Sequence, residues 1–312
     1  GELKTKPTQM SARNLLENGI QADMLIVRTP RELEEDERAK IGMFCNLPTK
    51  NVISGIDVDN IYKLPLVYES QNVFDIIANH FGLEKSRGDS QRFEKIEKYL
   101  SNKMPTVTIG MVGKYFDVPD AYKSLNEALF HAGIQNNVHV KIKKIDSENF
   151  TTEQVSDVDG ILVPGGFGAR GIDGKIAAAK YARENKTPYM GICLGMQVAV
   201  IEFMRNVMGV KNADSTEFTD DCVPVISIME NHDAADMGGT LRLGSYPCVI
   251  KHVTLAQNVY GKDLIHERHR HRYEMDINLE SEIAKYGMII SGKSPDGKLP
   301  EIIELENHPF FM

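Results

Sequence analysis

The sequence predicts an α/β chain whose larger part is a doubly wound, mostly parallel sheet, and three observations point there. Short apolar runs that read as strands alternate with longer amphipathic stretches that read as helices, the rhythm of βαβ units. Thr106-Val107-Thr108-Ile109-Gly110-Met111-Val112-Gly113-Lys114 opens that rhythm as a central strand. Two later strands, Gly160-Ile161-Leu162-Val163 and Tyr189-Met190-Gly191-Ile192, each run into a glycine-bearing turn, the place where such sheets carry their chemistry.

Taken in order, the chain begins with Gly1-Glu2-Leu3 and the donor-rich run Lys4-Thr5-Lys6-Pro7-Thr8-Gln9, which either meets a phosphate or nucleobase or is a solvated tail. Met10 to Asn18 patterns as a helix closed by Gly19, and Met24 to Val27 as a short buried strand. Glu32 to Phe44 reads as a charged helix, Asn51 to Ser54 as a strand, Ile61 to Pro65 as a stop and Val73 to Phe81 as an amphipathic helix. Residues 1–84 therefore form one part, the polar stretch 85–104 a linker in which Arg92 to Leu100 can form a helix, and 105–312 a second domain. In that domain a helix runs from Asp120 to His131 and is capped by Gly133, and Val138 to Ile145 alternates as a strand.

Composition narrows the function. At 312 residues the chain is long enough for two domains with real cores, and 42% apolar content with 26% charge suits a soluble globular protein. A net charge of −8 argues against a general nucleic-acid or membrane-surface binder, while a local basic patch could still hold a small anion. Cys45, Cys193, Cys222 and Cys248 form no C-x-x-C pair, so neither a disulfide framework nor a structural zinc site is expected, and a reducing cytoplasm fits best. No apolar run approaches the ~18 residues of a membrane span, the polar start does not read as a signal peptide, and no internal repeat is present.

The chemistry centres on Gly191-Ile192-Cys193-Leu194-Gly195-Met196-Gln197. Strand, sharp turn and apolar helix (Met196 to Met204) have the spacing of a nucleophile elbow, G-x-C-x-G, whose small flanking residues let the turn push the side chain outward. A cysteine at a helix N-terminus is favoured as thiolate by the dipole and the free N–H groups. Upstream, Val163-Pro164-Gly165-Gly166-Phe167-Gly168 can present backbone N–H groups to a developing oxyanion. A buried structural thiol beside ordinary βα glycines is the other reading of a lone cysteine; the two glycine turns together favour the nucleophile.

At these residues the sequence resembles the class I (triad) glutamine amidotransferases, whose flavodoxin-like glutaminase domain carries P-G-G-x-G and G-I-C-L-G-M-Q in this order. The segments Gly1 to Gln9, Glu37 to Ile41, Phe44-Cys45-Asn46 and Asp57 to Pro65 extend the likeness to the CTP synthase family, as does Asn212-Ala213-Asp214-Ser215-Thr216-Glu217-Phe218. The resemblance implies a partial P-loop-type α/β amidoligase domain ahead of the glutaminase domain. It also implies an ATP-dependent amination of UTP to CTP, with ammonia from glutamine hydrolysed through a thioester on Cys193. Lys4, Thr5, Lys6, Pro7, Thr8, Gln9 and Lys40 would belong to the UTP/CTP site, and Ile56, Asp57 and Val58 would approach ATP. Gly166 and Leu194 would supply the oxyanion hole, and Gly166, Leu194, Gln197, Glu217 and Arg270 would bind glutamine. Mg²⁺ would accompany ATP, GTP would activate through Arg242 in Gly238-Gly239-Thr240-Leu241-Arg242, and the family habit is a cytoplasmic homotetramer with no nucleic-acid or membrane partner.

Glu267-Arg268-His269-Arg270-His271-Arg272-Tyr273 is the most unusual stretch. If it is extended, period-two geometry puts three arginines on one face and two histidines on the other. An anion clamp, a paired-histidine metal site and a solvated basic strand all fit that pattern, and the resemblance selects the clamp, with Arg270 on the glutamine carboxylate.

Parts of the family pattern have no counterpart in this sequence. These are the Gly-rich phosphate loop, the magnesium carboxylates and the Q-F-H-P-E-F segment that supplies the histidine base and its glutamate. His308-Pro309 aligns with an earlier N-H-P of the family and is followed by Phe310, so it is not expected to be catalytic. The stretch from Met229 to Gly238 is also shorter than the family's. A truncated polypeptide and the ordered parts of a longer one both fit, and a non-catalytic nucleotide-binding or assembly fragment is the alternative function.

Overall fold

A computed structural model describes residues 4–84, 91–228 and 242–312, and the chain divides into two compact units, Gly1–Met104 and Pro105–Met312. The first unit runs α1 (Lys6–Glu17), β1 (Leu25–Thr29), α2 (Glu35–Cys45), β2 (Val52–Ile56), α3 (Leu64–Ser70), α4 (Val73–Phe81) and α5 (Gln91–Ser101). Strands β1 and β2 pair in parallel, from Leu25 opposite Val52 to Thr29 opposite Ile56. Helix α1 starts earlier than the pattern from Met10 suggests, because Pro7 lies in the first turn, where its fixed φ fits and its missing N–H costs nothing. A capping box between Glu34 and Glu37 starts α2, and Asn46, at φ 55°, ends it. The Gln71 side chain acts as a piece of sheet edge: Ser54 N–H donates to its Oε1 (2.8 Å) and its Nε2 donates to the Ser54 carbonyl (3.0 Å).

Helix α5 falls inside the stretch expected as a linker. Its Ile96 and Tyr99, three residues apart and so on one face, are buried, which makes the helix part of the first unit. Gly1-Glu2-Leu3 and residues 85–90 of that linker lie outside the described residues, as does 229–241, with its shortened segment and Gly238-Gly239.

The second unit opens with β3 (Thr106–Gly113), α6 (Lys123–Asn136), β4 (His139–Asp146), β5 (Gly160–Val163), α7 (Ile172–Asn185), β6 (Tyr189–Gly191) and α8 (Leu194–Asn206). Its parallel sheet has the order β4-β3-β5-β6, as the alternation requires. Residues 310–312 run beside β6, with Tyr189 N–H donating to the Phe310 carbonyl (2.9 Å) and Gly191 N–H to the Met312 carbonyl (2.8 Å). Helix α8 is buried on every side, from Val198 through Met204, and forms the centre of the core.

Beyond it the chain builds sheets that are mainly antiparallel. The remaining elements are β7 (Ala213–Ser215), β8 (Val223–Ile228), β9 (Arg242–Ile250), α9 (Leu255–Tyr260), β10 (Leu264–His271), β11 (Tyr273–Met275), α10 (Glu280–Lys285), β12 (Met288–Lys293) and β13 (Pro300–Leu305). One sheet has the order β10-β9-β12-β13 and the other β11-β8-β7. No helix among the described residues is long and apolar enough to cross a membrane.

Candidate active site

The turn between β6 and α8 is forced by its glycines. A Cβ on Gly191 would lie 2.4 Å from the Gly195 carbonyl carbon, and one on Gly195 would lie 2.1 Å from the Val163 carbonyl oxygen. Only hydrogen fits at either position, so strand and helix approach closely enough to bend the chain sharply between them. Cys193 absorbs the bend at φ 54°, ψ −106°, a conformation that costs an L-residue energy and is typical of functional sites. Its side chain stands half-exposed at the N-terminus of α8. Tyr189 braces the turn from below, its hydroxyl donating to the Gly195 carbonyl (2.8 Å) while its ring stacks on Phe311 at 4.5 Å.

The turn after β5 comes within reach of Cys193: a Cβ on Gly165 would touch its Cβ at 3.5 Å. Beneath Gly166 lie two lysines, since a Cβ there would be 3.5 Å from both Lys114 Cε and Lys175 Nζ. Lys175 is fully buried, and burial together with the charge of Lys114 brings it down to about 8. Glu217 accepts the Gly168 N–H (2.7 Å); burial raises its carboxyl, against the pull of that N–H and of Lys114, Arg272 and Lys175.

A cavity of about 780 Å³ opens over Cys193, lined by Gly165, Gly166, Gln197, Arg270 and His271 among others. The structure thus brings Gly166, Cys193, Gln197 and Arg270 together, with Leu194 next in the chain and Glu217 bonded to the glycine loop at the Gly168 N–H. Leu194 has a fully buried side chain, so its backbone N–H is what it offers to the site. Gln197 donates to the Tyr273 carbonyl (2.8 Å) and so fixes the turn that carries Arg272. Arg270 is exposed on β10, whereas Arg272 is half-buried and acts on Glu217.

The residue that sequence reading passed over is His271. It lines the same cavity as Cys193, and its Nε2 donates to Glu274 Oε1 at 2.6 Å. Burial alone would lower its pKa, but the pull of Cys193 and Glu274 on the charged form outweighs it and lifts the imidazole to about 9. The neighbouring His269 goes the other way, to about 4, through burial and the charges of Arg242 and His271. The signal was present in the alternation of 267–273: His271, weighed as half of a metal site, lines the cavity over the cysteine. Among the described residues no cluster of three or more His, Cys, Asp or Glu is arranged to hold a metal ion.

Arg242, expected at the effector site, is buried, 3.3 Å from Glu274 and 2.6 Å from Glu301, with its guanidinium over the Tyr246 ring. Two carboxylates inside the second unit hold it because a buried cation must be paired. His308 is engaged with the Ala182 carbonyl (3.0 Å) at the end of α7.

In the first unit the expected nucleotide residues are spread out. Lys6 and Gln9 line a cavity of about 400 Å³ beside the end of α2, with Thr5 buried and hydrogen-bonded to Gln9 (3.1 Å). Lys4 and Pro7 are exposed and Thr8 is half-buried, while Lys40 is exposed on α2 and does not line that cavity. Ile56, Asp57 and Val58 leave the carboxyl end of β2, where Asp57 pairs with Arg28 at 2.9 Å.

Residues 117–312 match the family Glutamine amidotransferase class-I, and residues 1–83 match CTP synthase N-terminus. Among solved structures the chain is similar to the glutaminase domain of Trypanosoma brucei CTPS with bound acivicin. The identity is 38% and the TM-score 0.60, with 66% of this chain and 83% of that chain covered.

Proposed function

The chain belongs to the CTP synthase family, with a class-I glutamine amidotransferase part, and on that premise we propose that its second unit hydrolyses glutamine at Cys193. The observation that carries this reading is the convergence of Cys193, His271 and Glu274 on one cavity beside the elbow, with His271 hydrogen-bonded to Glu274. The Cys193 thiolate attacks the side-chain amide carbonyl of glutamine, and backbone N–H groups near Gly166 and Leu194 receive the oxyanion. His271 gives its proton to the departing nitrogen as the C–N bond breaks, releasing ammonia and leaving a thioester. Neutral His271 then takes a proton from water, which attacks the thioester and frees glutamate and Cys193. Glu274 holds the imidazole in place through both steps. Glu217, with Arg272 or Arg270, suits the ammonium and carboxylate ends of glutamine. The free thiol nucleophile suits a reducing cytoplasm.

The further reading is that the ammonia aminates UTP to CTP at the expense of ATP, with GTP as activator. The sequence match of residues 1–83 supports it. Ile56, Asp57 and Val58, at the carboxyl end of β2, are suited to the adenine of ATP.

The test is a glutaminase assay together with labelling by 6-diazo-5-oxo-L-norleucine, an electrophilic glutamine analogue. The wild-type chain should take one label, Cys193→Ser none, and His271→Asn should lose about 10²–10⁴-fold in kcat. A folded chain that takes no label would favour the non-catalytic fragment, and His271→Asn at wild-type rate would remove His271 from the mechanism.

A further inference from the structure

Lys114 stands at the end of β3, on a different strand from the nucleophile, and is nearly enclosed. Its Nζ donates to three carbonyls of one loop: Phe167 (2.6 Å), Gly168 (3.0 Å) and Arg170 (3.0 Å). An ammonium has three donors and no acceptor, so these carbonyls account for all of its hydrogen-bonding capacity. The loop answers in kind, because Arg170 Nη2 donates to the Lys114 carbonyl (3.1 Å). The peptide between Phe167 and Gly168 is held on both edges, its oxygen by Lys114 and its N–H by Glu217. Since a peptide unit is planar, fixing both edges fixes its orientation. Gly166, whose amide is the expected oxyanion donor, is the residue immediately before this clamped pair.

We propose that Lys114 is a positioning residue for glutaminase chemistry: its three-carbonyl clamp sets the glycine loop so that the backbone N–H near Gly166 faces the oxyanion. The inference rests on the glutaminase reading above. Lysine suits the task because a compact ammonium fits inside a ring of carbonyls, which a planar guanidinium cannot do. Without the clamp the loop can rotate its peptides, and the loss falls on the transition state more than on substrate binding, because the oxyanion exists only there.

The experiment compares wild type, Lys114→Met and Lys114→Arg in the full chain. The readouts are glutamine turnover and Cys193 alkylation by two reagents, iodoacetamide and 6-diazo-5-oxo-L-norleucine. Iodoacetamide reacts by direct displacement and needs no oxyanion hole, whereas the diazoketone carbonyl sits where the glutamine carbonyl would. Lys114→Met should lose about a hundredfold or more in kcat, change KM by less than about threefold, and lose diazoketone labelling while keeping iodoacetamide alkylation. Lys114→Arg should fall between, and it carries the same test if Lys114→Met does not fold. A kcat within about threefold of wild type, or an equal loss with both reagents, overturns the proposal. A wild-type chain that takes no diazoketone label would instead overturn the glutaminase reading, and this inference with it.

Discussion

Helices α1 and α8 are nearly equal in length, 12 and 13 residues, yet α1 has no buried residue and α8 has ten. The same contrast runs through the two units. In the second, α8 lies at the centre of a continuous core that reaches from Val112 to Phe311. In the first, a two-stranded sheet supports a cluster of Leu33, Ile41, Cys45 and Val52, while Met10, Met43, Phe44, Phe81 and Leu83 stay exposed. The difference teaches where single residues can be made to matter. A turn bent this sharply needs rigid backing, and β5, β6 and α8 supply it for Cys193. The expected nucleotide residues of the first unit sit on an exposed helix and at the ends of a small sheet, where local structure is held by individual side chains such as Gln71.

The sharpest way to break the comparison is Gly195→Ala. The added methyl would sit 2.1 Å from a backbone oxygen with no side chain able to yield, so a loss of about 3–5 kcal/mol is expected in denaturant unfolding of the second unit. A loss below about 1 kcal/mol would mean the elbow is not rigidly backed.

Next comes pH. With its pKa lifted from 6.5 to about 9, His271 contributes stability that is fully present below pH 6.5 and is lost as the pH rises through 9. The contribution is up to about 3 kcal/mol. His269, lowered to about 4, does the reverse: its contribution is present above pH 6.5 and disappears as the pH falls through 4. Melting curves of wild type and His271→Asn should therefore converge between pH 6.5 and 9. Parallel curves across that window would contradict the Cys193–His271–Glu274 arrangement.

The smallest effect tests the first unit. Gln71→Leu leaves the Ser54 N–H and carbonyl without their side-chain partner and should cost about 1–3 kcal/mol, read by hydrogen exchange at β2. The amides of β3, β5 and α8 should exchange more slowly than any in the first unit, in wild type and variant alike. Slower exchange in α1 than in α8 would reverse the comparison.

Much of the site was legible because it is local. The G-x-C-x-G spacing and the P-G-G-F-G turn are contiguous, and a turn that tight admits few residue types, so glycine and cysteine at those positions carry their geometry with them. The alternation of arginine and histidine in 267–273 was also readable, since a strand has period two. Which face of that strand meets Cys193 was not readable, because it depends on the pairing of β10 with β9, from Leu264 opposite Val249 to His271 opposite Arg242. A shift of one residue would have presented the arginines instead.

The same limit explains Arg242, whose carboxylate partners Glu274 and Glu301 lie 32 and 59 residues away in the chain. It explains α5 as well, whose buried Ile96 and Tyr99 reveal themselves only once there is a unit to pack against. By itself, then, the sequence determined the βαβ order, the elbow and the cysteine at its tip, all of which rest on backbone sterics within a few residues. The tertiary structure alone decided that His271 lines the cavity over Cys193 and that Lys114 and Glu217 hold the glycine loop. Hydrogen bonds and buried charge pairs join whatever the fold brings within about 3 Å, and nothing in the order of residues records that distance.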